Sequence, residues 1–243
     1  TIFLDGRSNP DGQPAPPGHI HFQIGGEGTW HGTNVNAAVP LNQWVHIAAT
    51  RKANEDAKVY YDGVLQPSTS VPWSGAISYD GAWFTIGRQK DAGGRPFNGL
   101  IDEVDVFNRA LTQSEVQAIH DAGAAGKNPA ALPAGLVSWW RGEDNATDAK
   151  GNNNGTLVTP EAYTAAGKVG QAFNISPAAG NYLSIPNSSS LRVRTFTIDA
   201  WVNFNALPSV AGHIFGKALG GGDADSYIMW YQGGALHGYL EGG

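Results

Sequence analysis

The chain has 243 residues, 41% hydrophobic and 15% charged, enough apolar material for a packed core and too much for a disordered chain. Lys+Arg number 15 against 21 Asp+Glu, so the net charge is −6, and no basic run offers a footprint for nucleic acid. Cysteine is absent, which excludes disulfides and thiolate zinc sites, and no apolar run reaches the roughly 18–20 residues that membrane insertion as a helix requires.

With 33 Gly and 14 Pro, many short strands joined by tight turns are expected. The chain opens on Ile2-Phe3-Leu4 without a leader signal and reads as an excised or processed fragment. His19–Ile24 alternates apolar and polar residues, as a half-buried strand does. Trp44–Ala49 and Lys58–Tyr61 read as a strand pair, with Asp62-Gly63 as a tight turn after the second. Trp83–Ile86 and Ile101–Phe107 continue the pattern. Ala110–His120 instead carries apolar residues at helical spacing, and Thr112 with Glu115 forms a capping box, so one short helix is predicted. Asp121–Pro133, rich in Ala, Gly, Asn and Pro, reads as a linker. Leu136–Trp140, Tyr182–Ile185 and Phe196–Val202 return to strand alternation.

The two ends of the chain are similar to each other. His213-Ile214-Phe215 through Tyr227–Trp230 to His237-Gly238 parallels Thr1-Ile2-Phe3 through Ile20–Phe22 to His31-Gly32. The chain therefore ends where, in repeat terms, it began, and one unit spans about 200 residues. Two copies of one strand pair cannot fill the same place in one fold. One copy has to sit at an edge, be displaced, or pair with a second molecule.

Asn42–Ala48, Val59–Gly63, Phe84–Gly87, Phe97–Val104 and Phe107–Leu111 closely resemble the latter half of a laminin-G-like jelly roll. Gly135–Trp140, Asp148–Gly151, Asn154–Thr156, Gly167–Phe173 and Thr197–Val202 resemble its opening half. The resemblance implies an all-β, two-sheet antiparallel jelly-roll sandwich of the concanavalin A-like type, circularly permuted, with one short helix. Residues 1–126 would be the C-terminal half of one repeat, 127–134 a linker, and 135–243 the N-terminal half of the next. The halves would close on each other, or each would pair with a neighbouring chain in a strand-swapped homodimer. A half-sandwich alone would expose an apolar sheet face and open edges.

The same resemblance implies a secreted or cell-surface module that binds a glycan or polysaccharide, with a calcium site at Asp102, Glu143, Asp148 and Asn154. Calcium requires about 6–8 oxygen ligands, which acidic and amide loops supply. Aromatic faces stack on sugar rings, and Trp30, Trp73, Trp230 and Tyr231 are the candidates for ligand contact. Trp44, Trp139 and Trp201 are expected in the core. Glu103-Val104-Asp105-Val106-Phe107-Asn108 resembles the E-x-D-x-x-E strand of concanavalin-like glucanases, with Glu103 and Asp105 as the residues an enzyme would use. Asn108 stands where the acid/base carboxylate would be, and an amide cannot protonate a leaving group. A structural spacer repeat without ligand is the third reading.

Overall fold

The computed structural model describes residues 19–26, 29–52, 55, 57–70, 77–89, 95–125, 127, 132–159, 166–206, 212–218 and 225–231. Strands β1 (His19–Gly26), β2 (Thr29–Ala38), β3 (Trp44–Arg51), β4 (Lys58–Tyr61), β5 (Val64–Leu65), β6 (Ser68–Ser70), β7 (Phe84–Ile86) and β8 (Gly99–Phe107) precede the helix α1 (Gln113–Ala122). After it come β9 (Leu136–Trp140), β10 (Thr156–Val158), β11 (Phe173–Ile175), β12 (Tyr182–Ile185), β13 (Phe196–Phe204), β14 (Gly212–Ala218) and β15 (Asp225–Tyr231). The predicted strands fall inside these elements, except that Trp83 precedes β7 and is exposed. β2, β5, β6, β10 and β11 were not anticipated by alternation, because they are short or lack a regular apolar period.

The strands form two sheets. One runs β10-β12-β7-β14-β15-β1-β2-β6, and the other runs β11-β8-β13-β3-β4-β5, with β9 also paired to β8. Every ladder between them is antiparallel. Strands before and after α1 alternate in both sheets: β7 lies between β12 and β14, and β8 between β11 and β13. The two similar segments are neighbours, since β15 pairs directly with β1. β1 thus stands in the sheet as a strand beside β15.

The core lies between the sheets. Phe84, Ile86, Leu183, Phe215, Tyr227 and Met229 of one face Ile47, Val104, Phe173, Ile198, Val202 and Phe204 of the other. Trp140 stacks on Phe84, with ring centroids 5.4 Å apart and an interplanar angle of 16°. Among the described residues, Trp140, rather than the expected Trp139 and Trp201, is the tryptophan of this core. Trp139 and Trp201 are buried outside it, and Trp44 is half-buried. The hairpin β4–β5 turns at Asp62 (φ 48°) and Gly63 (φ 76°), as Asp-Gly requires. A Cβ on Gly63 would meet the Gln117 side chain at 2.4 Å, so the turn also seats α1 closely.

A second, smaller core covers the outer face of the β8–β13–β3–β4 sheet. Ala48, Tyr60 and Phe107 of the strands pack under Leu111, Val116 and Ile119. The capping box of α1 is present as expected: Thr112 Oγ1 accepts from Glu115 N at 3.3 Å, and Glu115 Oε2 accepts from Thr112 N at 2.9 Å. Thr197 Oγ1 of β13 accepts from Leu111 N at 2.8 Å and donates to Arg109 O at 3.0 Å, which fixes the helix start on the sheet. Among the described residues no helix is long and apolar enough to cross a membrane.

Candidate functional site

The acidic residues of β8 are placed by a bulge. Asp199 opposes Asp105 and Trp201 opposes Asp102, so the two residues Glu103 and Val104 face the single residue Ala200. Glu103 absorbs the extra residue at φ 54°. One added residue reverses the side-chain alternation, and Ile101, Val104 and Val106 therefore all reach the core while Asp102, Glu103 and Asp105 avoid it. The adjacent acids between Ile101 and Val104 are the local signal for this bulge.

Glu103 and Asp105 are fully buried. Glu103 Oε2 accepts from Trp139 Nε1 at 2.9 Å, and its other oxygen lies 4.0 Å from Arg141 Nε. Asp105 and its cross-strand partner Asp199 both meet Lys127. Lys127 Nζ donates to Asp105 Oδ2 at 2.5 Å, to Asp199 Oδ1 at 3.3 Å and to Glu103 O at 2.9 Å. His46 Nε2 lies 3.1 Å from Asp199 Oδ1. Burial pushes the Glu103 and Asp105 carboxyls upward, against the pull of Lys127. Burial also raises Asp199, but Lys127 and His46 outweigh it and leave that carboxyl below its ordinary value. Burial lowers His46 below the ordinary imidazole value, against the opposing pull of Asp199.

Lys127 corrects the reading of Asp121–Pro133 as a plain linker. α1 runs to Ala122, residues 123–125 form a 3-10 turn, and Lys127 inserts into the sheet's outer face. Its composition gave no hint, because its partners stand 22 and 72 residues away.

The four expected calcium ligands divide. Asp102 and Glu143 both hold the turn at residues 166–171: Asp102 Oδ2 accepts from Val169 N at 2.9 Å, and Glu143 Oε2 from Gln171 N at 3.2 Å. Gly170 (φ 56°) permits this, since a Cβ there would sit 2.2 Å from Glu143 Oε1. Asp102 Oδ1 is buried with no hydrogen-bond partner among the described residues, and burial raises this carboxyl to about 7. The pair offers hard oxygen donors of the kind calcium takes. Asp148 does not fit that role. Its Oδ1 accepts from Trp139 N and Lys150 N, both at 2.9 Å, and its Oδ2 from Asn153 N at 3.0 Å and Asn152 N at 3.3 Å. Asn154 Oδ1 accepts from Asp148 N at 3.0 Å and so belongs to the same loop brace. Among the described residues, no three His, Asp or Glu side chains gather as a metal-holding group.

Of the ligand-contact candidates, Tyr231 is corrected: it is fully buried in the core beside Phe204, centroids 5.1 Å apart, and cannot stack on a sugar. Trp30 lies in β2 and Trp230 in β15, and Trp73 lies outside the described residues. A cleft of about 480 Å³ opens beside β9, lined by Leu132, Pro133, Leu136, Trp139, Arg141 and Lys150 among others. The Arg141 guanidinium sits 5.2 Å from the Trp139 ring centroid.

Residues 9–117 match the model of the concanavalin A-like lectin/glucanases superfamily, in its laminin-G form. This stretch is laminin-G-like, and the two-sheet sandwich is the fold of that superfamily. The human adhesion G-protein coupled receptor D1 is 38% identical over 93 residues, which are 37% of this chain and 10% of the receptor. The chain thus spans about a tenth of the length of the curated relative it matches. No solved structure matches the chain.

Proposed function

We propose that the chain is a non-catalytic carbohydrate-binding or adhesion module of an extracellular protein, built as one repeat closed in cyclically permuted order. The observation that carries this reading is the burial of Glu103 and Asp105. A glycosidase needs its two carboxyls open to a sugar, about 5–9 Å apart across a groove. Here both are fully buried, one held by Trp139 and the other by Lys127. The exposed Asn108 stands where the strand resemblance would require an acid. The interleaving of strands from both sides of α1 supports closure within one chain over a strand-swapped homodimer.

Glycan contact in this reading falls to Trp30, Trp73 and Trp230 and to the exposed Arg141 in the cleft beside β9. Calcium, if held, belongs to Asp102 and Glu143 with carbonyls of the 166–171 turn, where it would neutralise a buried carboxylate and brace the loop. The chain is to be screened on a glycan array with calcium and with EDTA. Retention on a defined glycan class, weakened by EDTA and by Asp102→Asn, supports the module and its ion. Retention indifferent to both overturns the calcium site, and no retention in either condition overturns the binding reading in favour of a spacer.

A further inference from the structure

Lys127, Asp105 and Asp199 form a closed chemical set. Asp105 and Asp199 are cross-strand partners on β8 and β13, so their carboxyls project side by side on one face. The Lys127 ammonium stands between them, 2.5 Å from one and 3.3 Å from the other. The three side chains are 0%, 1% and 2% exposed for Asp105, Asp199 and Lys127. Among the described residues, Asp105 Oδ1 and Asp199 Oδ2 have no hydrogen-bond partner. Two buried carboxyls share one cation, and like charges this close do not both ionise without cost. Burial pushes the Asp105 carboxyl well above its ordinary value while Lys127 and His46 hold Asp199 below its own, and this opposite bias gives the two carboxyls different roles.

We propose that Lys127 and Asp105 join in an intramolecular isopeptide bond, with Asp199 as the proton carrier. Asp199 takes a proton from the ammonium, and the freed Nζ lone pair attacks Cγ of the protonated Asp105. A second Nζ proton passes through Asp199 to the departing hydroxyl, and the Cγ–O bond breaks to release water. One Nζ–Cγ amide bond replaces one carboxyl C–O bond. Nothing is oxidised or reduced, no outside reactant enters, and Asp199 ends protonated and neutral. His46 is a positioning residue, holding Asp199 toward Lys127 through Nε2. Fixed apposition raises the effective concentration of amine at carboxyl, and exclusion of water favours the amide.

The bond would close a loop from Asp105 to Lys127 that carries all of α1. It would pin the helix over the outer face of the sheet in a chain with no cysteine for a disulfide. The test is intact mass and peptide mapping of the purified chain under denaturing conditions. The expected chain is lighter than its sequence by one water, with the peptide holding Asp105 joined to the peptide holding Lys127. Lys127→Arg is expected at full mass with the peptides separate, and Asp199→Asn to lose the link. A wild-type chain at full mass with separate peptides overturns the bond. A water loss that survives Lys127→Arg, as a succinimide at Asp62-Gly63 would, also overturns it. Full linkage in Asp199→Asn overturns the proton route.

Discussion

Asp102 is the residue whose ionisation is most exposed to measurement. Burial raises its carboxyl to about 7, against the opposing hydrogen bond from Val169 N. An unfolded Asp titrates near 3.9, so between about pH 4 and about pH 7 the folded chain holds a proton that the unfolded chain has lost. Stability contributed by this group therefore falls as pH rises through that window. In calcium-free buffer, urea melts are expected to show wild type losing more stability than Asp102→Asn between about pH 5 and about pH 8. Glu103 and Asp105 share the sign of Asp102 and His46 opposes it; Asp105 and His46 are common to both proteins, while Glu103, whose charge raises Asp102, is eased by the substitution and adds to the difference in the same direction. Parallel profiles would remove Asp102 as a buried titrating group. At this scale residue type was legible and pairing was not. Asp148 reads as a metal ligand by type, yet the loop that follows it folds its N–H groups back onto both oxygens. Tyr231 reads as a surface aromatic, yet it follows Tyr227 and Met229 at strand period and enters the same core.

The helix α1 shows how an element is held by its ends. Thr112 and Glu115 satisfy two otherwise open N–H groups, and Arg109 grips Glu115 through its two terminal guanidinium nitrogens, Nη1 and Nη2, at 2.9 and 2.5 Å. Thr112→Ala is expected to destabilise the chain by about 1 kcal/mol in equilibrium unfolding, since it removes a side-chain cap. No measurable change would mean that the Thr112 cap is redundant beside the Arg109–Glu115 pair and the packing of Leu111, Val116 and Ile119. The capping box was readable because its partners lie three residues apart. The bulge in β8 was readable in principle, from two acids where alternation calls for one. Lys127 was not readable, because a buried cation in a Gly/Ala/Asn/Pro stretch is explained only by strands far away in the chain. Short strands such as β5, β6 and β11 lack enough residues to show a period of two, and their pairing depends on the neighbours that cover them.

The whole molecule is organised by interleaving. Neither the strands before α1 nor those after it would form a complete sheet, because β8 sits between β11 and β13 and β7 between β12 and β14. Strands from both sides of α1 thereby share one hydrophobic core, and β1 and β2 extend the sheet beyond β15. That arrangement turns the outer face of the second sheet into a covered, charged layer under α1 and Lys127. The acids that resemble a catalytic strand lie in this layer and not in a groove. The central claim is that the module holds polysaccharide without cutting it. The most direct measurement incubates the chain with the polysaccharides that retain it and follows reducing ends over time. The account predicts retention with no release above a protein-free control. Release that disappears in Glu103→Gln would contradict it and return β8 to catalysis.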